Sequence, residues 1–193
     1  MAFDAYMMFQ TATGPWLTGE SQSKIDTGSE SAIGTDLKTG QIFEITDFSF
    51  DIEQVLNIGS STSGAGAGKV TFNPYQITRN TDRISPQLYQ MCCSGTHFKI
   101  VSLYLRRAGT SGTVSGSVFL RFDFALVAVK TISWSGSDGD DNCKEEVTFE
   151  YGALQVRYCQ QDAAGKPMAP QMGAWNRVYN NSSFDLSAGI KAS

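Results

Sequence analysis

Apolar residues recur at every second position along much of this chain, and that pattern constrains the fold more than any other feature. A period of two places one set of side chains on one face of a β-strand. FDAYMMF (3–9) sets Phe3, Ala5, Met7 and Phe9 on one face. QIFEITDFSFDI (41–52) sets Phe43 and Ile45, then slips by one to Phe48, Phe50 and Ile52, as a β-bulge would require. KVTFNPYQIT (69–78) follows. HFKIVSLYLRR (97–107) carries Phe98 and Ile100 on one face and Val101, Leu103 and Leu105 on the other. SVFLRFDFALVAVKTISW (117–134) sets Val118, Leu120, Phe122 and Phe124 against Arg121 and Asp123. EEVTFEYGALQVRYC (145–159) closes the series, with Gly152 as an expected bulge or kink.

A single helix breaks the series. SPQLYQMCCSG reads as N-cap Ser85, Pro86 at the first helical position and Gly95 as the terminating residue. Leu88, Met91 and Cys92 fall at i, i+3 and i+4, so the helix needs a sheet to pack on. The expected fold is mainly β: a small barrel or sandwich of two sheets with one flanking helix over about residues 85–95. A chain of 193 residues suits one such domain.

Charge excludes several classes of partner. The balance is 15 basic against 19 acidic residues, a net charge of −4, with no basic stripe to displace counterions from nucleic acid. No apolar run approaches the roughly 20 residues that cross a bilayer, so no membrane insertion is expected. The start, MAFDAYMMFQ, lacks a basic opening and a long apolar middle. Synthesis in the cytoplasm, and any export without a cleaved signal peptide, is therefore expected. Cys92, Cys93, Cys143 and Cys159 match neither a redox pair nor a zinc site and are read as reduced thiols.

Candidate chemistry fails residue by residue. GSSTSGAGAGKVTF (59–72) ends its glycines in Gly-Lys, but a phosphate-binding loop needs Gly at 63 and Ser or Thr at 70, where Ser63 and Val70 stand. A strand pattern, not a helix, follows it. Asp138, Asp140 and Asn142 copy the opening of a calcium loop. Cys143 then replaces the required Gly and Phe149 the closing Glu, which leaves a solvated hairpin turn. His97 is the one histidine, and no G-x-S-x-G elbow accompanies it. It reads as a residue at the head of a strand. Trp16, Trp134 and Trp175 could form sugar-stacking platforms, which keeps a glycan-binding β-module open as an alternative. No enzyme activity, cofactor or metal is expected.

Two polar stretches remain, 18–40 and 162–193, together with the Gly/Ser/Ala run. Loops of this length are commonly functional. The order GAGKVTFNPYQITRNTDRISPQLYQMCCSGTHFKIVSLYLRRAG, with SGSDGDDNCKEEVTFEYGALQVRY and the opening FDAYMMF and GESQSK, resembles the haemolysin-coregulated protein (Hcp) family of the type VI secretion system.

The resemblance implies a small β-barrel that assembles into six-membered rings. These stack head-to-tail into a tube within a contractile sheath, capped by a spike protein, with effectors carried in the lumen. A tail-tube protein of a phage-like injection particle is the alternative of like architecture. Stacking needs a heterologous interface. The Gly-rich loop is read as the arm that makes it, through Ser60, Ser61, Gly64, Gly66, Gly68 and Lys69, with Arg106 and Arg107 at a second corner. Relative to the family spacing, residues 27–40 look like an insertion and 162–193 like an extended tail of the same single domain, 1–193.

Overall fold

The computed structural model describes residues 3–23, 32–57, 66–107, 116–162 and 166–186. Its strands run β1 (Phe3–Thr11), β2 (Phe43–Glu44), β3 (Asp47–Ser49), β4 (Ile52–Asn57), β5 (Gly66–Phe72), β6 (Tyr75–Asn80), β7 (His97–Arg107), β8 (Val118–Ser135), β9 (Lys144–Tyr158) and β10 (Gln171–Asn176), with helix α1 (Ser85–Ser94) between β6 and β7. The order β2-β1-β7-β8-β9-β6-β3 makes one curled antiparallel sheet, and β10 joins it against the second half of β9. β4 and β5 pair only with each other. The mainly β architecture with one flanking helix is the one the alternation predicts.

The core fills the concave side of the sheet. Phe9, Phe43, Phe98, Tyr75, Phe124 and Phe149 are all nearly inaccessible to solvent. Tyr75 stacks on Phe124 with ring centroids 4.6 Å apart, and Phe9 meets Phe98 at 5.1 Å. The helix closes one end of this core through Leu88 and Met91, while Cys92 is only partly covered and donates to the Lys130 carbonyl of β8.

Local expectations needed three adjustments. The run 41–52 holds no bulge: the chain leaves β1 after Glu44 and re-pairs with β6 from Asp47, so a change of partner produces the one-residue slip. Ile52, placed with the core set by alternation, is 46% exposed. The helix is capped one residue earlier than predicted. Ile84 is the N-cap, and Ser85 lies inside the first turn, where its Oγ accepts the Asp82 N–H while the Asp82 carboxylate accepts the Ile84 N–H. Gly95 does end the helix, at φ 69, the left-handed region glycine enters freely. Third, a bulge that the alternation does not show lies in β7. Thr11 pairs with Phe98 but Gln10 with Ile100, so Lys99 is an extra residue with no partner on β1. Phe98 and Val101 therefore both reach the core, although the alternation assigns them to opposite faces.

The convex side of β1 and β7 is covered too. Ile33 and Leu37, from the stretch 18–40 that reads as a polar loop, and Ile42 just after it bury Tyr6, Met8, Tyr104 and Val118. This seam requires Gly19. A Cβ there would lie 2.1 Å from the Ile42 carbonyl oxygen.

Candidate functional site

The β4–β5 ribbon leaves the barrel at one point. Its root is tied by the Asn73 N–H to the Asp51 carbonyl (3.1 Å) and by Asn73 Nδ2 to the Asp51 carboxylate (2.6 Å). Phe72 is buried at that root, edge-on to Tyr151 at 6.2 Å, and Phe50 packs among Tyr75, Phe122 and Phe124. Beyond it, Ile52, Glu53 and Gln54 are exposed. Ile52 pairs with Phe72 and Gln54 with Val70; then the register shifts to Leu56 with Ala67. A two-stranded ribbon without a third strand is marginal in water, so this one draws its order from its root and from whatever it meets.

Gly66, Gly68 and Lys69 lie in β5, the second strand of the ribbon. Ser60, Ser61 and Gly64 lie outside the described residues. Arg106 and Arg107 end β7, opposite Asp4 and Phe3 of β1, far along the chain from the ribbon. Arg106 is 4% exposed, and its Nε donates to the Gly116 carbonyl at 2.6 Å. Arg107 is half-buried, donates to Gln161 Oε1 at 2.8 Å and lies over the Phe119 ring at 4.8 Å. The two arginines are thus already engaged within the chain.

Two features escaped the reading of the sequence. The first is a buried charge network on the convex face. The Asp123 carboxylate accepts Ser102 Oγ (2.6 Å), Arg121 Nε (2.8 Å) and Arg157 Nε (3.0 Å). Arg121 Nη1 reaches on to Asp36 Oδ1 (2.5 Å) and the Ile33 carbonyl (3.1 Å), and the Tyr104 hydroxyl donates to Asp36 Oδ2 (3.0 Å). Burial, and then the neighbouring carboxylates, raise the Tyr104 phenol far above its usual range against the opposing pull of Arg121, so it stays a donor. This network fastens the segment around Asp36 to the sheet. Its visible signal is Arg121 and Asp123 alternating within an otherwise apolar strand.

The second is the C-terminal segment, which folds onto the barrel. Asn176, fully buried, accepts the Val178 and Tyr179 N–H groups on Oδ1 and donates from Nδ2 to the Asp185 carbonyl. Leu186 then packs on Ala125 and Ala153. Arg177 donates to the Tyr151 carbonyl (2.8 Å) and to Glu150 Oε2 (3.3 Å), and its guanidinium lies 5.5 Å from the Phe72 ring, so the tail also braces the root of the ribbon.

His97 is half-buried and faces two cavities, of about 730 and 500 Å³. Ser183 shares the larger one, but its hydroxyl accepts the Asp185 N–H rather than meeting the imidazole. Among the described residues no cluster of His, Cys, Asp and Glu could hold a metal ion. No helix among them is long and apolar enough to cross a membrane. The described cysteines are free thiols.

The family described as "Type VI secretion system effector, Hcp" matches residues 17–158, from the close approach at Gly19 to the end of β9. The chain belongs to the Hcp family. Protein hcp1 of Pseudomonas aeruginosa is 35% identical over 113 residues, which is 58% of this chain and 68% of that protein. Among solved structures, a type six secretion system protein superposes with a TM-score of 0.75 at 22% identity, covering 94% of this Hcp chain and all of the other. Hcp1 from Salmonella typhimurium superposes at 0.63 with 20% identity, covering 95% and 100%. At these identities the superpositions speak for the fold, and the family match for the membership. The Hcp family match stops at Tyr158, so β10, the Asn176 turn and Leu186 lie beyond it.

Proposed function

We propose that this Hcp chain is a subunit of the inner tube of a type VI secretion machine. Six copies close into a ring and rings stack head-to-tail. A sheath surrounds the tube, a spike protein caps it, and its lumen carries or stabilises effector proteins. The protein is made in the cytoplasm and leaves through that machine without a cleaved leader, and it acts by assembly rather than catalysis. In this reading one domain, 1–193, carries an insertion at 27–40 and an extended tail at 162–193.

The observation that carries the proposal, beside family membership, is the ribbon. It projects from a rigid barrel on a single root, pairs with no other strand and ends in a Gly/Ala/Ser run. A heterologous contact needs such a projection to meet a different surface on the next ring. Ser60, Ser61, Gly64, Gly66, Gly68 and Lys69 make that contact, with small residues allowing close backbone approach, and Arg106 and Arg107 shape a second corner that meets a neighbouring copy, Arg106 from within the fold.

Size-exclusion chromatography with light scattering, followed by negative-stain microscopy, tests this directly. Rings are expected; a strict monomer at high concentration overturns the proposal. Deleting residues 60–66 should preserve the fold and the ring yet weaken stacking. Tubes that form unchanged would remove the arm from the account.

A further inference from the structure

The larger cavity beside His97 has the composition of a ligand site. Ala12, Ile100, Ala125, Leu126, Phe184 and Leu186 supply apolar walls, and a volume of about 730 Å³ lies in the range small-molecule sites occupy. Two basic side chains, His97 and Lys99, enter it from β7. Strand alternation puts both on one face, and the bulge adds Ile100 to it. As the extra residue, Lys99 has no partner on β1, and Ile100 is turned outward beside it while Phe98 and Val101 go to the core. Lys99 is exposed at the cavity's edge, so its ammonium can meet a ligand without first being released from a buried ion pair.

The backbone supplies a separate observation. Leu126 has φ 53, a left-handed conformation a leucine rarely adopts, and it drops out of the ladders to both β7 and β9 while its neighbours stay paired. It stands in register with Lys99 on one side and Gly152 on the other. A Cβ on Gly152 would come within 3.2 Å of the Leu126 side chain. Such strain persists only where the surroundings enforce it, and it gathers at binding sites. Here it turns Leu126 into the cavity wall. The roof is the segment 183–186, held down by Asn176 and lying beyond the family match.

From this geometry we infer that the cavity binds a carboxylate carried on an apolar body, with the carboxylate on Lys99 and His97 and the body against Leu126, Ile100, Phe184 and Leu186. Charge complementarity selects the head group: the Lys99 ammonium favours an anion, and a carboxylate meets it in a charge-assisted hydrogen bond. Asp185 borders the cavity from the roof segment and is itself engaged within the chain. The shared chemistry covers two sources, a free acyl carboxylate and the C-terminal carboxylate of a polypeptide with apolar last residues. The inference concerns the face of a single subunit and does not depend on ring formation.

Isothermal titration of the full, assembled chain tests it with decanoate, decanol and the acetylated tripeptide acid acetyl-Leu-Leu-Phe. Binding of decanoate or of the tripeptide acid supports the site and tells which source it takes; binding of neither overturns it. Lys99→Met, a change at an exposed side chain, should weaken the bound carboxylate about tenfold, the loss expected for one hydrogen bond to a charged group. Ala12→Trp, at the exposed rim, should block the cavity while circular dichroism stays unchanged. Equal affinity for decanol and decanoate, or full affinity in both variants, overturns the assignment.

Discussion

At the scale of single residues, Asp123 joins three strands through one carboxylate. It is 1% exposed and holds Ser102, Arg121 and Arg157 together, while Arg121 carries the connection on to Asp36. Removing one partner of a buried charge set leaves the others uncompensated. Asp123→Asn should therefore lower stability by about 3–5 kcal/mol in urea unfolding. Asp36→Asn, at a half-exposed partner, should cost far less. Glu150 provides a pH readout. Burial raises its carboxyl, but Lys130 at 3.0 Å and Arg177 at 3.3 Å more than reverse this, so it stands below the usual carboxylate range. A depressed carboxylate contributes stability above its unfolded titration and loses it as pH falls through the folded one. Arg177→Ala should lower the thermal midpoint at neutral pH. The gap from the native chain should narrow toward about pH 3, because only the ion-pair part titrates away. A gap that stays constant over that range would show that Arg177 acts through packing and its bond to Tyr151 alone.

At the scale of elements, the strands were legible and their connections were not. β7 begins and ends where HFKIVSLYLRR does, because β-branched and aromatic residues on a pleated strand declare themselves locally. The switch of partners within 41–52 was hidden, since a bulge and a crossover produce the same one-residue slip in a linear pattern. The segment 32–42 was hidden for another reason. Ile33, Leu37 and Ile42 are too sparse to show a period, and their burial follows from the tertiary seam they meet. Only the charges at Arg121 and Asp123 hinted that the convex face is covered. Gly19 tests that seam. Gly19→Ala puts a methyl against backbone at Ile42, which cannot yield as a flexible side-chain end would. The variant should lose thermal stability and expose Tyr104 to solvent, readable by tyrosine quenching. A fully native Tyr104 would show that the seam tolerates displacement.

At the scale of the whole molecule, the sheet is sealed on both sides over the middle of β1 and the second half of β7: the aromatic core lies on one side, and the segment around Asp36 on the other. The ribbon, by contrast, stands out from a single root braced by Asn73, Phe72 and Arg177. The site proposed for the ribbon was readable as a Gly-rich run. Its isolation from the main sheet was not: Asn73-Pro74 marks a break in KVTFNPYQIT, but a linear pattern does not show that the two halves join different sheets. Arg177→Ala tests the brace at this scale as well: sedimentation should show intact rings that stack less. Stacking equal to the native chain would free the ribbon from any dependence on the tail.

The double covering of β1 and β7 has a practical consequence for genetics. A substitution at Tyr6, Met8 or Tyr104, or at the core residues behind them, will therefore surface as a folding defect whatever screen detects it. Alleles that abolish assembly while sparing the subunit should be sought at the ribbon and at the strand ends.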